Sequence, residues 1–354
     1  MSDEQPNPLR MEGWKFRTGS YVECTLKVKA EYLETDLIPD KTHRPEYFSV
    51  RWVFQWLEEK GKQRKRNRFM EEYYQEEITQ KKEKLLREIT SLTEKDCCLA
   101  FSGGVDSSLL LFFAVQEAKR QGTKVIAVTF QTRLHPPCDL AIAERVAKEM
   151  GAQHVILYVD ELEQEEIRQN PKNRCYLCKR HLFEKLREFA RTKGIDTILD
   201  GTNEDDLHVY RPGLQALKEC GVISPLADCQ ITKQEVKELA AEVKLSVASR
   251  PSTPCMATRL PYGTRIDYEF LNRISAGEEW LHTILGKEGN IRLRVHGDLI
   301  RLEVDPENLP KVLSVREKIV SYLKKLGFSY VTLDLQGFRS GSMDEWILQK
   351  EKER

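Results

Sequence analysis

The sequence predicts an α/β protein, a doubly wound parallel sheet followed by a small α+β domain. Three observations carry that prediction. From about residue 96, short continuous apolar runs alternate with helical stretches, as parallel strands covered on both faces do. A glycine-containing turn joins the first of those strands to its helix. Beyond Pro251-Ser-Thr-Pro254 the pattern changes to two alternating runs joined by His296-Gly297-Asp298, which reads as a hairpin.

The elements follow in order. Residues 1–76 are irregular, holding Pro6, Pro8, Pro39, Pro45, Trp14, Trp52 and Trp56. The basic run from Lys60 to Arg68 reads as a solvated helix end or linker, with nucleic-acid or lipid contact as the alternative. Ile78, Leu85, Leu86, Ile89 and Leu92 recur at helical spacing and predict a helix leading into the main domain. Cys97-Cys-Leu-Ala-Phe101 is the first buried strand, and a helix carrying Leu109, Leu110, Leu111 and Phe112 follows its turn. Further strands are predicted at 125–130, 154–159 and 197–200, with a helix from Ala141 to Met150 stopped by Gly151. The small domain reads β-β-α-β: strands at 291–295 and 299–304, a helix from about 309 to 326 ended by Gly327, and a strand at 330–335. The expected divisions are an extension at 1–76, the α/β domain at 77–249, the small domain at 250–345 and a tail at 346–354. No internal repeat is evident.

Composition narrows the function. The chain has 354 residues, 40% hydrophobic and 32% charged, which is ample for a large core. Its 56 basic and 56 acidic side chains cancel, so nothing argues for wholesale binding to nucleic acid or membranes. No apolar run approaches the roughly 18–20 residues of a membrane helix. The start lacks a basic segment followed by an apolar one, and the expected compartment is the cytoplasm. Nine cysteines, an odd number, do not suit a disulfide scaffold in a chain of this length.

The strongest local signal is Ser102-Gly-Gly-Val-Asp-Ser-Ser108 between strand and helix. Gly103 and Gly104 allow a tight turn with amides facing an anion, Val105 opens the helix, and its N-terminus adds partial positive charge. The hydroxyls of Ser102, Ser107 and Ser108 can donate. It lacks the Gly-Lys-Ser/Thr ending of a Walker loop and the spacing of a dinucleotide fingerprint. Asp106 repels phosphate unless Mg²⁺ lies between them. Gly201-Thr-Asn-Glu-Asp-Asp206 reads as an acidic helix start or as a lip of the same crevice. On the second reading Gly201 and Thr202 border the nucleotide and Asp206 is a further metal contact. SGGVDSS resembles the PP-loop of ATP pyrophosphatases, whose fold is a Rossmann-like doubly wound sheet. That resemblance implies ATP cleavage between the α and β phosphates, adenylylation of the substrate, and adenine contacts by Phe130 and Gln131.

Asn173-Arg-Cys-Tyr-Leu-Cys178 carries a CxxC, shared by zinc, redox and iron–sulfur sites. The further candidate thiol is Cys255, and His181 could complete a Cys₃His zinc site. Cys24, Cys97, Cys98, Cys138, Cys220 and Cys229 read as buried or incidental. Arg292 and Arg294, two apart on a strand, share a face. Arg259 follows Cys255 by four, and Arg339 opens Arg-Ser-Gly-Ser342. Each arginine taken singly reads as a solvated charge; as a set they suit an anionic nucleotide.

NRCYLCKRHLF, DGTNEDDLHVYRPGLQAL, SPLAD, RPSTPCMATRLPYGTRI, RLRVHGDLIRLEV and YVTLDLQGFRSGSM, in this order, closely resemble the LarE-type sulfur transferases. The match spans about residues 77–343. It implies adenylylation of a pyridinium biscarboxylate mononucleotide at a carboxylate, then conversion to a thiocarboxylate in nickel-pincer cofactor synthesis. It also implies a homo-hexamer, and substrate binding by Arg259, Arg292, Arg294 and Arg339. In one version of the family the cysteine matching Cys255 gives up its own sulfur. In another, three cysteines hold a [4Fe–4S] cluster, and Cys175, Cys178 and Cys255 fit that version. The other readings are a tRNA thiolase on the same loop, which needs a basic RNA face, and a non-catalytic nucleotide-binding assembly protein.

Overall fold

A computed structural model describes residues 9–10, 25–28, 48–49, 63–135, 137–208, 212–248, 254–286, 289–339 and 341–343. Side chains of the basic run at 60–68, Cys24 and Cys138 lie outside the described residues, as do Trp14, Trp52 and Trp56. The chain divides into two compact units, Met1–Gln80 and Lys81–Arg354. The first contains an antiparallel sheet of β1 (Leu9–Arg10), β2 (Thr25–Val28) and β3 (Phe48–Ser49) in that order. Those strands fall in the segment whose sequence shows no periodicity. Helix α1 (Gln63–Leu92) is the helix that Ile78, Leu85 and Ile89 predict.

The second unit holds the doubly wound sheet. Strands β4 (Cys97–Ala100), β5 (Val125–Gln131), β6 (Gln153–Tyr158) and β7 (Thr197–Leu199) are all parallel, in the order β6-β5-β4-β7. Parallel strands need crossovers, and helices α2 (Val105–Gln121), α3 (Pro137–Met150) and α4 (Arg174–Thr192) supply them. Helix α2 starts with Asp106 in its first turn and carries Lys119 and Arg120 in its last, matching the dipole. It stops at Gly122, whose φ of 77° is left-handed. On one sheet face Cys98, Ile126, Val128 and Ile198 pack with Leu182, Phe183 and Leu186 of α4 and Leu217 of α5 (Gly213–Glu219). Helix α6 (Lys233–Glu242) begins with a capping box of Thr232 and Glu235. Lys81 and Lys82 of α1 pair with Glu235 and Glu242 of α6.

The sheet C-terminal to the α/β layers has the order β10-β9-β8. Strands β8 (Ile291–His296) and β9 (Leu299–Val304) form the expected hairpin, while β10 (Tyr330–Leu333) runs parallel to β9. The single helix expected over 309–326 is two, α8 (Leu309–Ser314) and α9 (Arg316–Lys325), broken at Val315. Helix α7 (Tyr268–Leu285) has no counterpart in the sequence reading; Asp267 caps it, accepting from the Glu269 amide. Its Leu271, Ile274 and Leu281 share one core with Leu293, Ile300, Leu302, Ile319 and Leu323. Leu134, Leu162 and Ile167 of the α/β segment belong to that same core. The small sheet is therefore anchored against the strand ends where ligands bind in such folds.

Candidate active site

Because β4, β5 and β7 are parallel and in register, their C-terminal ends open on one cleft of about 590 Å³. Ser102, Asp106, Ser107, Phe130, Gln131, Asp200, Gly201, Thr202 and Asp206 line it, joined from the opposite side by Met256, Leu271 and Ser275. The loop is tight for steric reasons. Gly103 has φ +68°, and a Cβ there would lie 2.9 Å from the Ala143 Cα. A Cβ on Gly201 would lie 2.8 Å from the Ser107 amide nitrogen, so β7's exit presses directly on the start of α2. The Ser102 hydroxyl accepts from the Gly104 amide at 3.3 Å and stands 3.2 Å from the Ser107 hydroxyl. Val105 and Ser108 are buried away from the cleft, and Ser108 Oγ has no hydrogen-bond partner. The cleft-facing serines of the loop are thus Ser102 and Ser107.

Asp106 and Asp206 both face the cleft, linked through Asn203. The Asn203 amide side chain donates to Asp106 Oδ1 at 2.9 Å, and its backbone amide donates to Asp206 Oδ2 at 3.3 Å. The Lys233 ammonium donates to Asp106 Oδ2. Lys233 is the residue that sequence reading missed. This loop lacks a Walker lysine, yet the first residue of α6 supplies a cation at the same carboxylate. The only local signal was the Thr-Lys-Gln-Glu capping box, which marks a helix start and no more. Mg²⁺ takes one or two carboxylates with substrate phosphates, and the carboxylates of Asp106 and Asp206 both line the cleft. Phe130 meets Phe183 edge-on at 5.8 Å, giving a firm apolar wall for a flat base. Arg133, also missed, lines the cleft and lies 3.8 Å over the Tyr268 ring.

Cys175 and Cys178 lie one turn apart at the start of α4, and Cys255 precedes a 3₁₀ turn, Met256–Arg259. Lys179 and Met256, their chain neighbours, line the cleft. The Met256 amide donates to the Leu134 carbonyl at 2.8 Å, fastening the Cys255 loop to the segment after β5. Arg174 lies among the thiols: Nη2 reaches Cys175 Sγ at 3.6 Å and Nη1 the Ala257 carbonyl at 3.2 Å. Burial alone would lower its guanidinium, but Cys255 and Cys175 outweigh it and hold it raised. Burial pushes the Cys178 thiol well up, with Glu161, Cys255 and Cys175 adding to the effect. Cys255 is also raised by burial, and Arg174 opposes that rise. Among the described residues no three His, Cys, Asp or Glu side chains stand close enough to share a single ion. His181 pairs with the Gln164 side chain at 2.7 Å. Cys97 and Cys98 are buried strand thiols pushed up to about 12 and about 11 by burial, hence inert.

The arginines divide by what holds them. Arg259 is 2% exposed and forks onto Glu278, Nε to Oε1 at 2.9 Å and Nη2 to Oε2 at 2.8 Å. Its Nη1 reaches the carbonyls of Pro254 and Cys255 and the Thr258 hydroxyl. Every nitrogen of the guanidinium is engaged, so Arg259 shapes the Cys255 loop instead of offering a donor to substrate. Arg294 is held by Glu303 at 3.1 Å and the Thr258 carbonyl at 2.8 Å. Arg339 pairs with Asp334 and the Gly337 carbonyl. Arg292 has no carboxylate partner among the described residues. Its Nη1 donates to the Ile291 carbonyl, its Nε is unpartnered, and it lies 5.3 Å over Phe338. Burial and the nearby Arg259 lower it to about 10. An unbalanced buried cation of this kind is where an anionic ligand gains most.

Glu161 is fully buried, in the turn Glu161–Glu163 behind Thr132 and Arg133. Burial raises its carboxyl from 4.5 to about 7; the Thr132 hydroxyl and nearby amides pull it down weakly, and neither oxygen has a partner at hydrogen-bonding geometry. The sign of its effect on stability follows. Below pH 4.5 both folded and unfolded forms hold the proton; between 4.5 and 7 only the folded form does, so stability falls as pH climbs. In metal-free protein the wild type should lose roughly 3 kcal/mol relative to Glu161→Gln across that window. Urea melts at pH 4.5 and pH 8 check this, and parallel curves for the two proteins would refute it.

Comparison with known proteins agrees with this geometry. A family model described as a PP-loop domain matches residues 74–210. The chain is 36% identical over 249 residues to an uncharacterized protein of Synechocystis, covering 70% of this chain and 91% of that one. It is 33% identical over 249 residues to the pyridinium-3,5-bisthiocarboxylic acid mononucleotide synthase of Lactiplantibacillus plantarum, covering 70% and 89%. An uncharacterized protein of Methanocaldococcus jannaschii is 32% identical over 246 residues, covering 70% and 92%.

Proposed function

This chain belongs to the LarE-type ATP-dependent sulfur transferases of the PP-loop superfamily, and we propose that it converts a carboxylate of a pyridinium biscarboxylate mononucleotide to a thiocarboxylate. The observation that carries the reading is one cleft bordered by both halves of such a reaction. The SGGVDSS loop and Asp106, paired with Lys233, line it, and so do Lys179 and Met256, the chain neighbours of Cys178 and Cys255.

The chemistry follows from the residues. Activation is needed because attack on a carboxylate must expel oxide, whereas an acyl adenylate expels AMP. Ser102, Ser107 and the start of α2 hold the phosphates, and Asp106 and Asp206 hold Mg²⁺ against them. Once Mg²⁺·ATP engages Asp106, Lys233 is free to turn toward the departing pyrophosphate and balance its charge. Phe130 and Gln131 face the adenine, and Arg292 takes the substrate's phosphate or second carboxylate. Arg259 and Arg294 hold the Cys255 loop at a fixed distance from the activated carbon. Cys175, Cys178 and Cys255 would be the residues to hold a [4Fe–4S] cluster, which would supply a replaceable sulfide for the transfer. What supports the reading is that all three thiols are electrostatic neighbours of the buried Arg174. Because the thiols must ionise to bind iron, and burial holds Cys178 and Cys255 up, iron uptake should strengthen with rising pH. The family resemblance carries a hexameric assembly with it, which sedimentation of the full chain tests.

The test is product analysis with Mg²⁺·ATP and a pyridinium-carboxylate nucleotide. AMP and pyrophosphate are expected; ADP and phosphate would overturn the reading. Lys233→Met should slow adenylylation by roughly 10²–10³-fold while the fold survives, by analogy with removing one transition-state donor. Unchanged AMP formation would remove Lys233 from the mechanism.

A further inference from the structure

The cleft is lined with acid for a reaction whose substrates are themselves anions. Asp106, Asp139, Asp200 and Asp206 line it, and among the described lining residues the only lysine and arginine are Lys179 and Arg133. ATP brings further negative charge, and a pyridinium biscarboxylate mononucleotide adds carboxylates and a phosphate. A second anion settles in such a site only where a cation meets it. Arg133 is built for that task. It leaves β5 after Phe130, Gln131 and Thr132, which line the cleft with it, and it is exposed. Its guanidinium carbon lies 3.8 Å from the centre of the Tyr268 ring, so the planar group stacks on that ring. Tyr268 opens α7, and Leu271, Asn272 and Ser275 of the same helix line the cleft at the spacing of one helical face. The ring itself cannot swing. Its hydroxyl donates to Asp160, which also accepts from the Leu162 amide at 2.9 Å, and its body packs against the small domain's core. A guanidinium stacked on a fixed ring keeps its N–H donors around the rim of its plane and loses little freedom when an anion arrives. Arg259, Arg294 and Arg339 each pair with an acid, but among the described residues no acid pairs with Arg133.

We propose that Arg133, held in place by Tyr268, determines specificity for the nucleotide substrate by binding one of its anionic oxygen groups, a carboxylate or the phosphate. Two N–H donors of one fork match two oxygens of either group. The contact anchors the substrate at a point away from the carboxylate being activated, so that this carboxylate alone meets the α-phosphate of ATP. Tyr268 acts through Arg133 as a positioning residue and touches no substrate. The inference rests on the reaction proposed above, and its test separates the two.

Full-length wild type and Arg133→Met are assayed for pyrophosphate release with Mg²⁺·ATP and three probes. These are the pyridinium-3,5-biscarboxylate mononucleotide, its monocarboxylate counterpart and its dephosphorylated nucleoside. KM is read for each, or the inhibition constant for a probe that is not turned over. With the full substrate, Arg133→Met should raise KM roughly 10–100-fold, as loss of a charge-assisted contact does, while KM for ATP stays near that of the wild type. The penalty should vanish with the probe that lacks the group Arg133 reads, which tells carboxylate from phosphate. Tyr268→Phe keeps the platform and should behave as wild type, whereas Tyr268→Leu should raise the same KM about two- to fivefold. Wild type that releases no pyrophosphate with any probe overturns the reaction itself. Release by the wild type with an unchanged substrate KM in Arg133→Met, a rise in KM for ATP instead, or a penalty undiminished with both truncated probes overturns the role of Arg133 alone. Because Arg133 is exposed, its variant folds; if Tyr268→Leu does not, Arg133→Met decides.

Discussion

Cys255→Ala should abolish sulfur transfer while AMP-forming activation of the substrate continues. The two halves of the reaction separate because the activating residues, Ser102, Asp106 and Lys233, sit on the β4–α2 turn, α2 and α6, whereas Cys255 precedes the turn Met256–Arg259. On the cluster reading, Cys175→Ala and Cys178→Ala lose transfer as well, and each of the three variants loses iron. On the sacrificial reading only Cys255→Ala loses transfer, and spent wild-type protein lacks the mass of hydrogen sulfide at that residue. Iron, acid-labile sulfide and intact mass, measured after anaerobic reaction, distinguish the two. Transfer surviving in Cys255→Ala would exclude both.

Arg259→Met should be the most destabilising single change at the site. It leaves Glu278, itself buried, without its forked partner, and an uncompensated buried charge costs roughly 3–5 kcal/mol. For a unit of this size that lowers Tm by on the order of 10 °C. Glu278 also accepts the Leu293 amide at 2.8 Å, so the damage reaches β8. Adding Glu278→Gln removes the stranded charge yet keeps that acceptor, and should restore much of the loss. Sulfur transfer should stay impaired in the double variant, because Nη1 no longer holds the Cys255 carbonyl. Calorimetry with a transfer assay checks both. A double variant no more stable than Arg259→Met would refute the buried-charge account.

Sequence and structure contributed different kinds of information. The parallel strands, the SGGVDSS turn and the Gly-Asp hairpin were legible because each depends on residues close along the chain. Alternation and glycine placement are local properties, and the motif order sufficed for the family. Helix α7 was less legible: it begins at Tyr268, capped by Asp267 straight after an irregular proline-containing stretch. The short strands of the first unit have two to four residues, too few for a period to register.

At the site the division is sharper. The chain alone determined that Ser102, Asp106, Phe130 and Gly201 face one cleft, since strand ends in a parallel sheet share an edge. It also determined that Cys175 and Cys178 lie one turn apart. What an arginine does was decided only by its neighbours in space. Arg259, four residues from Cys255, looked like a substrate contact, but Glu278, nineteen positions on, claims it. Arg294 meets Glu303 across the β8–β9 pair, while Arg292, two positions earlier on the same strand, forms no ion pair among the described residues. Lys233 reaches Asp106 over 127 positions. Charge compensation in a low-dielectric interior depends on separations of a few ångströms, and separation along the chain does not encode them.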